Sequence, residues 1–160
     1  RSKEDLDVAG LEATWVVIHT GCHKILVGAM YRPPNSDARH WELIEQSLEK
    51  AKLTGIQNIV IMGDVNEDQQ KRGNKLSRLC EGYNLQQLIQ DKTHENSIID
   101  VIITAKPHKL INTEVSPHAF TNHIPVSAEF LFKTTFKKKL KRKILEYKHS
   151  DSEEQKLDIR

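Results

Sequence analysis

The chain has 160 residues, 29% of them charged and 38% hydrophobic, with a formal net charge of +2. That length can bury one ordinary core, and no apolar run approaches the roughly 20 residues needed to cross a bilayer, so no membrane partner is expected. Cys22 and Cys80 form no recognisable disulfide framework and Arg1 to Gly10 lacks the apolar stretch of a secretory signal, so an intracellular, reducing compartment is the expectation.

Ala13 to His19 (ATWVVIH) and Ile25 to Tyr31 (ILVGAMY) are short runs rich in β-branched and aromatic residues around a polar turn at Thr20 to Lys24. They predict an antiparallel hairpin. Pro33, Pro34 and Asn35 stop the second strand, and Ser36 or Asp37 can cap a helix carrying Trp41, Ile44, Leu48 and Ala51 on one face as far as Leu53, before Gly55. Asn58 to Met62 (NIVIM) reads as a strand buried on both faces. The polar loop Gly63-Asp64-Val65-Asn66-Glu67-Asp68 leaves it abruptly and sets carboxylates at its C-terminal end. Lys75 to Glu81 predicts a second helix with Leu76, Leu79 and Cys80 inward and Gly82 as its stop, followed by a connection over Tyr83 to Ile89. Ile98 to Thr104 (IIDVIIT), a short piece at Val115, and Pro125 to Phe132 (PVSAEFLF) are further strands.

Strands and helices mix without a strict βαβ repeat, which predicts an α/β (α+β) sandwich on a mixed or largely antiparallel sheet. The packed domain is expected over residues 1–132, followed at 133–160 by a basic helical connector and a polar tail. Lys133 to Lys148 holds eight basic residues and one acid, a net of +7, which leaves 2 − 7 = −5 for the rest. Such a segment attracts phosphate backbones or anionic membranes; the plainer reading is a solvated helix face with a charged tail.

Asp64 and Asn66 stand two positions apart, so an extended backbone would place both side chains on one face. A carboxylate there can orient or deprotonate water while a neutral amide donates to a phosphoryl oxygen without repelling it. The same residues also suit an ordinary turn. Asp100 lies inside an apolar run, where a carboxylate is costly unless it faces water or has a partner. His123, in the polar stretch Thr121-Asn122-His123 just before a strand, can be that partner, and an Asp-paired imidazolium stabilises charge developing on a phosphate. Taken singly, an exposed strand aspartate and an idle loop histidine remain the plainer readings.

In order, Leu11-Glu12-x-x-Trp15, Tyr31-Arg32-Pro33-Pro34, Gly63-Asp64-x-Asn66, Thr93-His94 with Ser97-x-x-Asp100, and Thr121-Asn122-His123 resemble the endonuclease/exonuclease/phosphatase family. More narrowly, the set is similar to the apurinic-like endonuclease domain of non-LTR retrotransposons. The resemblance runs from about Leu11 to Phe132, the C-terminal two-thirds of that domain, and Lys141 to Asp151 resembles the family's connector toward a reverse transcriptase. It implies a four-layer α/β/β/α sandwich of the DNase type with its N-terminal strands missing. It also implies a divalent metal, Mg2+ or Mn2+, DNA as substrate, a reverse transcriptase domain in the parent polyprotein, and a nuclear location.

By the same resemblance Asp64 would orient or deprotonate the attacking water, Asn66 would hold the scissile phosphate and Tyr31 would hydrogen-bond beside it. Asp100 would pair with His123, whose imidazole would stabilise the developing charge. Thr93, Ser97 and Arg32 would contact the DNA, and Asp64 and Asn122 would face the metal. Where the family has Ser-Asp-His, this chain has Thr121-Asn122-His123; an uncharged Asn122 implies weaker metal binding. The family's first metal-binding segments, an Asn and a Glu, are expected upstream of the matching region. The implied function is a metal-dependent DNA endonuclease domain of weakened or absent activity. The alternative is a non-catalytic nucleic-acid-binding remnant relying on Lys133 to Lys148. Missing strands would expose a sheet edge and favour self-association.

Overall fold

The computed structural model describes residues 2–116 and 121–133. The basic segment beyond Lys133, the polar tail and the domain boundary expected there lie outside the described residues.

Strand β1 (Glu12–His19) and strand β2 (Lys24–Tyr31) form the expected hairpin, in register from Glu12 opposite Tyr31 to His19 opposite Lys24. Gly21 takes φ +87 in the turn, where the N–H of Thr20 donates to the carbonyl of His23 at 3.0 Å. Helix α1 (Ala38–Leu53) carries the chain over to strand β3 (Asn58–Asp64), which pairs parallel with β2. Helix α2 (Lys75–Gly82) follows, then the short strand β4 (Gln86–Gln87) within the stretch expected as plain connection. Strand β5 (Asp100–Thr104) runs antiparallel between β3 and β4, giving the order β1-β2-β3-β5-β4. Strands β6 (Leu110–Val115) and β7 (Val126–Phe130) make a separate antiparallel pair, so Val115 ends a full strand.

The larger sheet is apolar on both faces because its neighbours cover both. Trp15, Leu26, Ile59, Ile61, Val101 and Ile103 pack with Trp41, Ile44 and Leu48 of α1 and Leu76 of α2. On the other face Ile25, Val60 and Ile102 pack with Leu88, Ile89 and Ile98 and against Val126 and Phe130 of the smaller sheet. The result among the described residues is helices, large sheet and small sheet, three of the four expected layers; no α-helix lies outside the small sheet. No helix among them is long and apolar enough to cross a membrane. Met62 departs from the expectation for its strand, since it is 41% exposed at the end of β3 that the small sheet leaves open. The outer edge of β1 is partly occupied: Ser2 bridges Val16, and the N–H of Lys3 donates to the carbonyl of Trp15 at 2.9 Å.

Local chemistry fixes the helices. Ser47 is fully buried in α1 because its hydroxyl accepts the indole N–H of Trp15 at 3.0 Å. Asn74 caps α2, its Oδ1 accepting the N–H of Ser77 at 2.7 Å, and the carboxylate of Glu67 accepts the N–H groups of Lys75 and Leu76 at 3.0 Å each. Glu67 thus fastens the loop after β3 to the start of α2.

Gly63 lies opposite Met30 in the β2–β3 ladder with φ +150, and a Cβ there would stand 1.8 Å from the Met30 carbonyl oxygen. No side-chain adjustment relieves a clash with backbone. Gly63→Ala is expected to lose at least about 3 kcal/mol in a urea titration; a wild-type midpoint would contradict the close approach.

Candidate active site

The site is built on the open end of the β2–β3–β5 strip. In the ladders Tyr31 is opposite Asp64, and Asp64 is opposite Asp100. Residues opposite one another on neighbouring strands project to the same side, so the register sets the phenol and both carboxylates side by side. Asp100 opens β5 rather than lying inside a strand, because the two residues before it belong to the preceding loop: the N–H groups of Ile99 and Asp100 donate to the Thr93 hydroxyl at 3.1 and 3.0 Å.

Two loops are stitched together beneath these carboxylates. Val65 N–H donates to the Ile99 carbonyl at 3.0 Å and Gln69 N–H to that of Ile98 at 2.9 Å, while Asp68 accepts the N–H of Ile98 at 3.2 Å. His123 arrives from the small-sheet side. Its backbone bridges His94, and the next N–H, of Ile124, donates to the Thr93 carbonyl at 2.7 Å. The His123 Nδ1 then lies 3.2 and 3.1 Å from the two oxygens of Asp100, the expected Asp–His pair. Burial pushes the Asp64 carboxyl up from its ordinary value; the N–H of Asn66 opposes that rise, Asp100 adds to it, and the imidazoles of His123 and His94 oppose it.

Asn66 sits beside Asp64 by a different route from the extended one expected. Its φ is +45, in the left-handed region that asparagine tolerates. The turn brings its N–H to Asp64 Oδ1 at 2.8 Å, and its Nδ2 donates to Asp64 Oδ2 at 3.1 Å and to the Arg32 carbonyl at 2.9 Å. Both amide hydrogens are therefore engaged, and reaching a phosphoryl oxygen means releasing one of them.

Arg32 and Thr93, expected on DNA, face inward. Arg32 is 8% exposed, stacks 4.7 Å over the Trp41 ring, and donates to the carbonyls of Val65, Asn66 and Ser36 at 3.2, 3.3 and 2.9 Å. It clamps the loop that carries Asp64 and Asn66. Thr93 is fully buried with its hydroxyl accepting the two N–H groups that begin β5. Ser97 is half-buried and closes the turn from His94, its N–H donating to the His94 carbonyl at 2.8 Å. Tyr31 is 39% exposed at the end of β2, open to a ligand.

Asn122 is exposed, its Nδ2 lying 2.9 Å from Nε2 of His94, and the His94 ring packs on that of His123 with centroids 4.7 Å apart. Sequence reasoning gave His94 no role; its one signal was adjacency to Thr93. The Arg32 clamp carried no signal, since nothing in Tyr31-Arg32-Pro33-Pro34 tells an inward guanidinium from an outward one.

Asp64, Asp100 and His123 each offer a ligand atom within 4.8 Å of the others, a hard-oxygen and imidazole set that suits a divalent cation. The Asp–His pair competes for the same atoms, because Nδ1 of His123 and the Asp100 carboxylate already face each other. With that pair intact, the charged ligand left is Asp64.

No protein-family model and no curated protein matches this sequence. Solved structures do. The endonuclease domain of TRAS1, a telomere-specific non-LTR retrotransposon, is similar at a TM-score of 0.71 and 14% identity, over 84% of this chain and 69% of that one. An endonuclease/exonuclease/phosphatase family protein from Bacteroides thetaiotaomicron is similar at 0.58 and 15% identity, over 76% of this chain and 55% of that one. The chain has the endonuclease/exonuclease/phosphatase fold. A variant of the Staphylococcus aureus beta toxin, in a structure with bound magnesium ions, shares it at 0.57 and 13% identity, over 76% of this chain and 58% of that one. This chain thus spans less than two thirds of the length of the last two proteins. In this endonuclease/exonuclease/phosphatase fold the Asp64, Asp100 and His123 cluster lies at the open strand ends.

Two outcomes follow from the geometry. Lysine cannot reach three carbonyls with a fork of donors, so Arg32→Lys is expected to cost about 2 kcal/mol of stability in chemical denaturation; an unchanged midpoint would dissolve the clamp. The folded value of Asp64 lies above its unfolded one, so its ionised form weakens the fold at neutral pH, and that effect vanishes where both states are protonated. In buffer with a chelator, the stability of wild type relative to Asp64→Asn should rise as the pH falls from 7 through the raised value toward the ordinary 3.8, whatever fixed cost the amide adds by facing the Asn66 donors. A relative stability of wild type that fell over that range would reverse this sign.

Proposed function

We propose that this chain is a metal-dependent phosphodiesterase, the DNA endonuclease domain of a retrotransposon-derived protein, with activity weakened by a poor metal-ligand set. The observation that carries the reading is the in-register placement of Asp64 beside the Asp100–His123 pair, on a fold similar to that of the TRAS1 endonuclease domain.

Asp64, ionised above its raised pKa, orients a water and takes its proton as the oxygen attacks phosphorus. Asp100 holds His123 through Nδ1, so the imidazole presents Nε2 to the phosphoryl oxygen on which charge develops. Tyr31 donates its hydroxyl to the same phosphate from the end of β2, and Asn66 keeps the Asp64 carboxylate fixed from below. Arg32 and Thr93 act as positioning residues, Arg32 through the Asp64 loop and Thr93 through the start of β5. Mg2+ or Mn2+, held by Asp64 and by the oxygen of Asn122, would neutralise phosphate charge when bound. One free carboxylate and one neutral amide neutralise a divalent cation poorly, which supports weak binding. The proposal extends to a reverse transcriptase domain in the same parent protein and to work in the nucleus, on the resemblance of Lys141 to Asp151 to a family connector.

Incubation with supercoiled plasmid and Mg2+ or Mn2+ tests the reading. Slow nicking is expected, abolished in Asp64→Ala and reduced about 100-fold in His123→Ala. Plasmid binding without nicking under either metal would instead favour the non-catalytic nucleic-acid-binding reading, with affinity falling steeply with salt.

A further inference from the structure

His94 makes two contacts that the reaction scheme leaves unused. Asn122 Nδ2 stands 2.9 Å from His94 Nε2, and an amide nitrogen can only donate, so Nε2 accepts and the ring proton sits on Nδ1. With its amide nitrogen held in this way, Asn122 has its Oδ1, an acceptor, as the remaining polar atom. The His94 ring also packs on the His123 ring at 4.7 Å with a tilt of 52°, on the imidazole that pairs with Asp100. Both contacts are set by backbone. The N–H groups of Thr93 and His94 donate to the Ser97 carbonyl at 3.0 and 3.2 Å, Glu95 takes φ +47 in the turn, and His94 bridges His123. His94 is thereby held in place before any ligand arrives, at little entropic cost on binding.

We propose that His94 is a positioning residue that sets the polarity of Asn122, binding its amide hydrogen so that Oδ1 serves as an acceptor toward a divalent cation, while its ring steadies His123. The first half rests on the metal-dependent reading above; the contact itself does not. The chemistry gives the reason for a histidine at this place. A lysine or arginine at position 94 would draw Oδ1 to itself and turn the amide donor outward, which repels a cation. A phenylalanine keeps the ring on His123 and removes the acceptor.

The test uses the full chain as wild type, His94→Phe, Asn122→Ala and the double variant, with Mn2+ as the probe and binding read by electron paramagnetic resonance. Each single variant is expected to weaken Mn2+ about tenfold, and the double variant no further, because one removes the Asn122 oxygen and the other removes what orients it. Losses that add, or His94→Phe binding as wild type does, would overturn the proposal. Should His94→Phe melt well below wild type, His94→Ala supplies the same cycle. If wild type binds no Mn2+, the metal reading fails, and the contact is judged by the side-chain amide resonances of Asn122. These should shift in His94→Phe and hold in Tyr31→Phe. Unshifted resonances in His94→Phe would remove the polarity-setting role as well.

Discussion

Two carboxylates stand opposite each other where the antiparallel ladder of β3 and β5 begins, and the surrounding structure is organised around that juxtaposition. Partial burial makes ionisation harder for Asp64, and the like charge of Asp100 opposite adds to it. The chain offsets this with different partners for each. Asp100 has the imidazole of His123 against both of its oxygens, while Asp64 has the N–H and the amide of Asn66. The asymmetry gives the two groups different surroundings. One carboxylate is committed to a histidine, and the other keeps a raised pKa and room to accept a proton.

The supporting contacts act on backbone more than on side chains. Arg32 holds two carbonyls of the Asp64 loop and that of Ser36 after its own strand, and the Thr93 hydroxyl holds the two N–H groups that start β5. Each is a buried polar group that bonds main chain, Arg32 through its two terminal nitrogens, an arrangement that is costly to disturb and so keeps the carboxylates in register. Both residues had been expected on DNA. Their types, a guanidinium and a hydroxyl, fit a phosphate as well as a carbonyl or an N–H, and residue type alone cannot say which way a side chain faces.

Much of the fold was legible because it rests on periodicity. The hairpin, α1, β3 and α2 fall within a residue or two of the stretches read from apolar spacing and from Pro and Gly stops. What stayed hidden was decided by partners distant in sequence. Ile98 and Ile99 have the composition of a strand yet belong to a loop, since Thr93 takes the N–H of Ile99 and Val65 takes its carbonyl. Met62 reads as core yet is exposed, because the covering sheet does not reach it. At the site, the pairing of Asp100 with His123 could be inferred, since a carboxylate in an apolar run needs a partner. The left-handed turn at Asn66 and the contact between His94 and Asn122 could not, because both depend on loop geometry that spacing does not encode.

The stitched loops beneath the site also bear on how the molecule assembles itself. The Asp100–His123 pair closes 23 residues of chain, the Asp68 contact with Ile98 closes 30, and the Arg32 contact with Val65 closes 33. Contacts of that separation form after local helices and hairpins, since loop-closure entropy has to be met before they are gained. The β1–β2 hairpin and the two α-helices rest on contacts closer in sequence than those that gather the Asp64, Asp100 and His123 cluster. The Asp64, Asp100 and His123 cluster is thereby tied to the seating of the small sheet on the large one, since His123 stands three residues before β7.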